Sequence, residues 1–200
     1  MEYLQKQAFN CNRNRVQKVL NGLYLAQYPL HVIYDRLITP VLRDIGKLWM
    51  NGKIDVLDEH LASSTIRDAI NRLQGIISLP RATRGRALCL NLTGEMHDIA
   101  LKMVDNILEN RGFKIFYSGQ NTPVINFEKI LKNFKPQRIY ISSTYIENLD
   151  VSQNEFNKIC DGVGNNQIEI YVGGTGFDSL NFDHPSVTKR LFTFEEVYRT

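Results

Sequence analysis

The second half of the chain alternates short apolar runs with segments of helical spacing, and this alternation limits the fold more than any other feature of the sequence. A short apolar run at 87–92 predicts a buried strand, and further strands are predicted at 114–117, 138–142, 168–172 and 189–192. Segments with helical spacing separate the first four of these strands and span 97–110, 127–134 and 156–163. Strands that alternate with helices imply right-handed crossovers between parallel strands. We therefore predict a doubly wound sheet of five parallel strands.

The first half has helical periodicity instead. From Tyr34 to Trp49, apolar residues recur at three- and four-residue steps, and Asn51-Gly52 would end this helix. Asp55 can act as the N-cap of a following helix, and Val16 to Leu25 predicts an earlier one. We therefore expect a small helical bundle before the sheet.

The expected fold class is α/β, in which a four-helix-bundle cap precedes a flavodoxin-like, Rossmann-type sheet of five parallel strands. We place the bundle at residues 1–79 and the α/β domain at 87–200. The stretch 80–86 contains Pro80, Gly85 and three arginines without periodicity, and we interpret it as a linker.

Composition favours a soluble cytoplasmic protein. Hydrophobic residues make up 43% of the 200 residues and charged residues 22%, as in ordinary globular domains. The three cysteines are far apart, and neither a signal-peptide core nor a run of membrane-spanning length is present in the sequence. The net charge of +3 is spread along the chain, so neither direct nucleic-acid binding nor a membrane partner is expected.

Polar residues and glycines follow three of the predicted strands. In a doubly wound sheet, ligands bind beyond the carboxyl ends of the strands, where these residues would meet. His97 could bind a metal through one ring nitrogen while the other donates to a carboxylate, either Glu95 or Asp98. No second cluster has zinc-ligand spacing, so a metal here would bring most of its own ligands, as a corrinoid does. The three segments are Thr93-Gly94-Glu95-Met96-His97-Asp98, Ser142-Ser143-Thr144 and Gly173-Gly174-Thr175.

These segments resemble the cobalamin-binding domain pattern. Glu95-x-His97-x-x-Ala100 corresponds to its Asp/Glu-x-His-x-x-Gly element, with Ala100 in place of the usual Gly. The stretch 117–123 also resembles the loop of that family after the second strand. The resemblance implies that His97 is the lower axial ligand of cobalt, in place of the benzimidazole of the cofactor. It also implies cofactor contacts from Thr93, Gly94, Glu95, Met96, Asp98, Ser142, Thr144, Gly173, Gly174 and Thr175.

The helical half resembles the four-helix cap of light-sensing cobalamin regulators of the CarH type. The resemblance rests on Trp49 with Glu59-His60 downstream, and on the helix at 37–49. With the sheet half, it covers roughly residues 8 to 195. It implies that Trp49, Glu59 and His60 lie over the upper face of adenosylcobalamin, which is then held between the cap and the α/β domain. Met50 stands where the best-known light sensors have a second histidine, so His60 or water would take the upper cobalt position after light.

Three functions are consistent with this pattern. The first is a regulatory or photoreceptor module, in which light or the cofactor state changes self-association or binding to a transcription factor. Such regulators begin with a DNA-binding domain, so this chain would be a stand-alone sensor or an excised module. The second is a corrinoid carrier for a methyltransferase system, and the third is a storage or binding module for cobalamin or another tetrapyrrole. An independent enzyme is not expected, because no nucleophile-base pair or acid-base carboxylate pair follows the strands.

Overall fold

A computed structural model describes residues 1–80, 83–164 and 167–200. They form two compact units. The helical unit comprises residues 1–78 with 193–195 and 199, and the sheet unit comprises the remaining described residues of 79–200. Of the predicted linker at 80–86, Arg81 and Ala82 lie outside the described residues.

The helical unit confirms the predicted bundle. Its core consists of apolar side chains from all the long helices, including the buried Leu20, Ile45 and Ile70. Among the described residues, no helix is both long and apolar enough to cross a membrane. The helices are α1 (Glu2–Phe9), α2 (Arg13–Leu25), α3 (Leu30–Ile33), α4 (Thr39–Met50) and α5 (Val56–Leu73).

The predicted helix from Tyr34 to Trp49 is interrupted near its start. Residues Tyr34–Ile38 form a π-helical stretch, in which the Thr39 N–H donates to the Tyr34 carbonyl five residues earlier. Pro40 follows and has no N–H for an α-helical hydrogen bond, which accounts for the irregular turn at this point. Apolar spacing alone does not reveal such a change of helix type.

The sheet unit has the flavodoxin-like strand order β2-β1-β3-β4-β5, with all neighbours parallel. The doubly wound fold predicted from the sequence is therefore confirmed. The strands are β1 (Gly85–Asn91), β2 (Phe113–Tyr117), β3 (Arg138–Ser142), β4 (Glu169–Gly173) and β5 (Val187–Leu191). The helices are α6 (Ile99–Asn110), α7 (Phe127–Phe134) and α8 (Leu149–Val163). A further helix, α9 (Phe194–Arg199), follows β5 and has residues in both units.

Helices cover both faces of the sheet. Alternate residues of β1, such as Leu88 and Leu90, share a buried core with Phe156 and Ile159 of α8. Helix α6 packs against β1 and β2, and its buried side chains are not part of that core, so it lies on the opposite face. Coverage of both faces explains why the central strand β1 reads as a continuous apolar run rather than as an alternating pattern.

The strand ends lie level at the carboxyl edge of the sheet. Asn91, the last residue of β1, is paired with Ser142 of β3, and Ser142 is paired with Gly173 of β4. β1 also has neighbours on both sides that follow it in the chain, so the strand order reverses there. The loops that follow β1, β3 and β4 therefore meet at the switch point where such sheets bind ligands.

Several element boundaries differ from the predictions. β1 begins at Gly85 rather than Ala87, because Gly85 and Arg86 continue the parallel pairing with Phe113 and Lys114. Helix α8 begins at Leu149 rather than Phe156. Its first turns are mostly polar and carry no apolar stripe, so the apolar spacing did not predict them. Asn148 caps this helix by accepting a hydrogen bond from the Val151 N–H at 3.1 Å. β5 begins two residues earlier than predicted, and α9 was not predicted.

Candidate functional site

The loop between β1 and α6 folds around the carboxylate of Glu95. This side chain is almost fully buried, with 1% exposure, whereas the ring of His97 is 60% exposed. Oε1 of Glu95 accepts a hydrogen bond from the main-chain N–H of His97 at 2.6 Å and lies 2.7 Å from its Nδ1. Glu95 is therefore a carboxylate partner of the imidazole.

The second oxygen of Glu95 is held by the loop after β3. Oε2 accepts hydrogen bonds from the main-chain N–H groups of Thr144 and Tyr145, the latter at 2.9 Å, and from the Ser143 hydroxyl at 3.4 Å. Burial raises the pKa of Glu95, but the hydrogen bonds from His97, Tyr145 and Thr144 outweigh it and bring the pKa below its ordinary value. The carboxylate is thus ionised at neutral pH and can only accept hydrogen bonds.

This geometry selects one tautomer of His97. An ionised carboxylate facing Nδ1 requires the proton on that nitrogen, so that a metal would bind at Nε2 on the other side of the ring. The main chain of the same residue is also held, since the buried Asn91 amide donates to the His97 carbonyl at 3.3 Å. The arrangement is that of a histidine ligand oriented by a carboxylate.

The loop after β2 is hydrogen-bonded to the His97 loop at three points. The Gly94 N–H donates to Asn121 Oδ1 at 2.9 Å, and the Asn121 N–H donates to the Glu95 carbonyl at 3.0 Å. Gln120 Nε2 donates to the Met96 carbonyl at 2.6 Å. Asn121 has φ +43°, a left-handed conformation that asparagine tolerates better than most residues. Neither Gln120 nor Asn121 was among the predicted site residues, although the stretch 117–123 was singled out.

The glycine turn after β4 packs against the loop after β3. A Cβ atom at Gly174 would lie 2.1 Å from the carbonyl oxygen of Ser143, and the φ of Gly174 is +96°. The Ser143 N–H donates to the Gly173 carbonyl at 3.0 Å, and the Thr175 hydroxyl donates to the Thr144 carbonyl at 2.8 Å. The cofactor contacts of Gly173 and Gly174 stay a prediction, and in the structure the close approach at Gly174 is made by Ser143.

The remaining predicted residues of the sheet unit lie at the same edge. Ser142 is 6% exposed and ends β3, and Asp98 precedes the first turn of α6. Thr93 and Gly94 open the His97 loop, and Gly94 has φ +84°. Ser143 was not among the predicted residues, although its hydroxyl, rather than that of Ser142, is hydrogen-bonded to Glu95.

The predicted upper-face residues belong to the helical unit. Nδ1 of His60 lies 2.6 Å from Oε2 of Glu59, and the Ser63 hydroxyl donates to Oε1 of Glu59 at 2.5 Å. The His60 side chain is 71% exposed, and Trp49 near the end of α4 is 48% exposed. The structure therefore joins Glu59, His60 and Ser63 on α5 and leaves both rings accessible.

A cobalt corrinoid fits these residues by the chemistry of the donor set. Cobalt accepts imidazole nitrogen, and the exposed His97 ring is already oriented through its Nδ1. Met96 and Tyr145 are 56% and 60% exposed, so apolar surface is available in the two loops that meet at Glu95. His97 would hold the metal, and these neighbours would contact the macrocycle.

Comparisons with known proteins show similarity to a transcriptional repressor and to corrinoid proteins. The chain is 24% identical over 177 residues to the HTH-type transcriptional repressor CarH of Myxococcus xanthus. The aligned region covers 88% of this chain and 56% of that repressor. It is 19% identical over 176 residues to dimethylamine corrinoid protein 2 of Methanosarcina acetivorans, with 87% and 81% of the two chains covered. The solved structure of the Methanosarcina barkeri monomethylamine corrinoid protein superposes with a TM-score of 0.79 at 14% identity, covering 98% of this chain and 94% of that one, and shows the same fold.

Family models account for most of the chain. Two models, each described as a B12 binding domain, match residues 2–74 and 85–185. The first spans the helices α1 to α5, and the second spans strands β1 to β4 together with the His97 loop. The chain belongs to the B12-binding domain family, and its cofactor is a cobalamin or related corrinoid.

Proposed function

We propose that this chain is a cobalamin-dependent regulatory module in which His97 is the lower axial ligand of adenosylcobalamin. The observation that carries the proposal is the pairing of an exposed imidazole with a buried carboxylate at the carboxyl edge of the sheet. Its similarity to the repressor CarH favours a regulatory role. The chain spans 56% of the length of that repressor, so any further activity of the whole repressor is not implied.

Each residue of the lower site has a separate role in the proposal. Glu95 keeps the proton on Nδ1 of His97 and so presents Nε2 to the metal. The N–H groups of Thr144 and Tyr145 keep Glu95 ionised in its buried position. Met96 and Tyr145, both exposed, would contact the macrocycle around the ligand.

The upper face would be contributed by the helical unit. Trp49 offers a flat apolar surface to the adenine, and the Glu59–His60 pair can hydrogen-bond ribose hydroxyls. Bound adenosylcobalamin would supply a cobalt–carbon bond that light can break. Because Met50 has a thioether, a poor ligand for cobalt(III), His60 or water would take the upper position afterwards.

Loss of the adenosyl group would remove contacts that only one state of the protein makes. A ligand shifts a conformational equilibrium only by its difference in affinity for the two states. The output would be a changed protein interface, either in self-association or toward a transcription factor. The chain itself would act without catalysing a reaction.

Absorption spectroscopy and gel filtration of the adenosylcobalamin complex, in darkness and after green light, test the proposal. The expected results are a spectral change and a change in elution volume on illumination. His97→Ala should change the dark spectrum, whereas His184→Ala should not, because His184 faces Asp161 at 3.3 Å elsewhere in the sheet unit. Identical spectra and elution volumes in darkness and light would refute the light-sensing role.

A corrinoid carrier for a methyltransferase system is the second candidate. The similarity to dimethylamine corrinoid protein 2, over 81% of that protein, favours it. Affinities for methyl- and adenosylcobalamin distinguish the two roles. Preference for methylcobalamin, together with methyl transfer to or from a partner enzyme, would support the carrier, and preference for adenosylcobalamin would support the sensor.

A further inference from the structure

Glu155 is a buried acidic residue that the lower site does not account for. It lies on α8 and is 8% exposed, next to Phe156, which is anchored in the core of the sheet unit. Among the described residues, no ion pair to a lysine, arginine or histidine neutralises it. A buried carboxylate without a cationic partner is unfavourable unless hydrogen bonds replace its hydration.

The hydrogen bonds that Glu155 accepts come from two loops. Oε2 accepts from the Thr93 N–H at 2.6 Å, and Oε1 accepts from the Thr93 hydroxyl at 2.9 Å. Oε1 also accepts from the Val124 N–H at 2.8 Å. Thr93 opens the His97 loop, and Val124 lies in the connection between β2 and α7. One side chain on a core helix thus fixes the positions of both loops.

These two loops are the ones that hold each other around Glu95. Asn121 and Gln120 from the connection after β2 bond to the main chain of Gly94, Glu95 and Met96. Glu155 therefore closes a network in which the His97 loop is fixed at its start by α8 and along its length by the neighbouring loop. A displacement of this loop by a fraction of an ångström would alter the direction of the His97 ring.

We propose that Glu155 is a positioning residue for axial ligation, which holds the His97 loop in the geometry that lets the imidazole reach cobalt. The proposal rests on the proposed function, since it concerns the same ligand. Glu155 touches neither His97 nor the expected metal position, so it acts through Thr93 and Val124. Removal of a partner that orients a metal ligand typically weakens metal binding roughly 10- to 100-fold.

Glu155→Gln tests the proposal with little change in shape. A glutamine has one acceptor oxygen, so its amide would face either the Thr93 N–H or the Val124 N–H with a donor. Gln153→Ala is the matched control on the same helix. Its amide nitrogen donates to the Asn181 carbonyl at 2.8 Å, and its amide oxygen accepts from the Asn181 N–H at 2.8 Å. The loop that contains Asn181 does not carry His97.

The first readout uses the cofactor-free protein. Amide hydrogen exchange at either Thr93 or Val124, whichever faces the new amide group, should become about tenfold faster in Glu155→Gln, from the loss of a hydrogen bond to a charged group. The second readout is the absorption spectrum of the cobalamin complex, in which the fraction with His97 on cobalt should fall. Gln153→Ala should match the wild type in both.

The outcomes separate the inference from the proposed function. Unchanged exchange, or faster exchange with full His97 ligation, would overturn the positioning role. If the wild-type spectrum does not depend on His97, the proposed function fails first and the positioning role falls with it. If Glu155→Gln does not fold, Thr93→Val serves as the second variant. It removes only the hydrogen bond from the Thr93 hydroxyl to Oε1, so a smaller decrease in the fraction with His97 on cobalt is expected. Ligation unchanged in Thr93→Val would then overturn the inference.

Discussion

Oε1 of Glu95 lies 2.7 Å from Nδ1 of His97 and accepts a hydrogen bond from the main-chain N–H of the same residue at 2.6 Å. One oxygen thus fixes both the backbone and the ring of the expected ligand. The other oxygen is held by the loop after β3, so the carboxylate joins the His97 loop to the loop after β3. This double attachment makes Glu95 as important to the site as the ligand itself.

Glu95→Gln should weaken cobalamin binding roughly 10- to 100-fold, because a metal-bound histidine loses the carboxylate that orients it. The substitution keeps the size of the side chain but places an amide donor against N–H groups. Equilibrium binding of cobalamin, followed by absorption, measures the effect. Glu128→Gln, an exposed glutamate on α7, is the control and should bind as the wild type. Equal affinities for the two variants would contradict the assigned role of Glu95.

Gly174→Ala should destabilise the protein by about 2 to 5 kcal/mol, since the new Cβ overlaps the Ser143 carbonyl in a left-handed conformation. Gly46→Ala is the opposite case, because a Cβ there meets nothing within 4 Å inside α4. That substitution should stabilise by about 0.5 to 1 kcal/mol. Urea unfolding of both variants measures the difference. Unfolding of Gly174→Ala at the wild-type urea concentration would show that the turn does not pack on Ser143.

Asp55→Ala should lower the free energy of unfolding by about 1 kcal/mol through loss of the N-cap of α5. Asp55 Oδ1 accepts from the Asp58 N–H at 2.9 Å, and the Asp58 side chain accepts in return from the Asp55 N–H at 3.3 Å. Asp44→Ala removes an exposed carboxylate that lies 3.8 Å from Lys47 and should change stability by less than half as much. Thermal unfolding of the two variants compares them, and an equal loss would argue against the cap.

Trp49→Ala should reduce affinity for adenosylcobalamin about three- to tenfold, from the loss of aromatic stacking on the adenine. Affinity for cyanocobalamin, which has no adenine above cobalt, should fall less. Tyr28→Ala is a control in the same unit with similar exposure, 52% against 48% for Trp49. Isothermal titration with the two cobalamins gives the ratio. An unchanged ratio in Trp49→Ala would remove Trp49 from the upper face.

Local signals in the sequence were sufficient for much of the fold. The bounds of β3 and α7 were predicted to the residue, because Pro136 separates an amphipathic segment from a short apolar run. Asp55 was identified as a cap from residue type and position alone. The parallel direction of the strands followed from their alternation with helices. Because such crossover connections are right-handed, few topologies are possible.

Parts of the site were beyond such local signals. Ser143, Asn121 and Glu155 contact the His97 loop across separations of 48, 27 and 62 residues. Glu155 lies among polar neighbours on α8 and reads in the sequence as a solvated position. Its role depends on where the fold brings two loops together, which neither composition nor spacing specifies. The motif that carries the expected cobalt ligand could be recognised because its residues lie close together in the chain.

The central claim, that His97 ligates cobalt through Nε2, is tested most directly by electron paramagnetic resonance of the cobalt(II) form of the bound cobalamin. The protein would be prepared with histidine at natural nitrogen and with nitrogen-15 histidine. The account predicts splitting from an axial nitrogen that changes with the isotope in the wild type. In His97→Ala the dependence on the isotope should be lost, since only the benzimidazole of the cofactor could then supply the nitrogen. Isotope-independent splitting in the wild type, or isotope-dependent splitting in His97→Ala, would contradict the account.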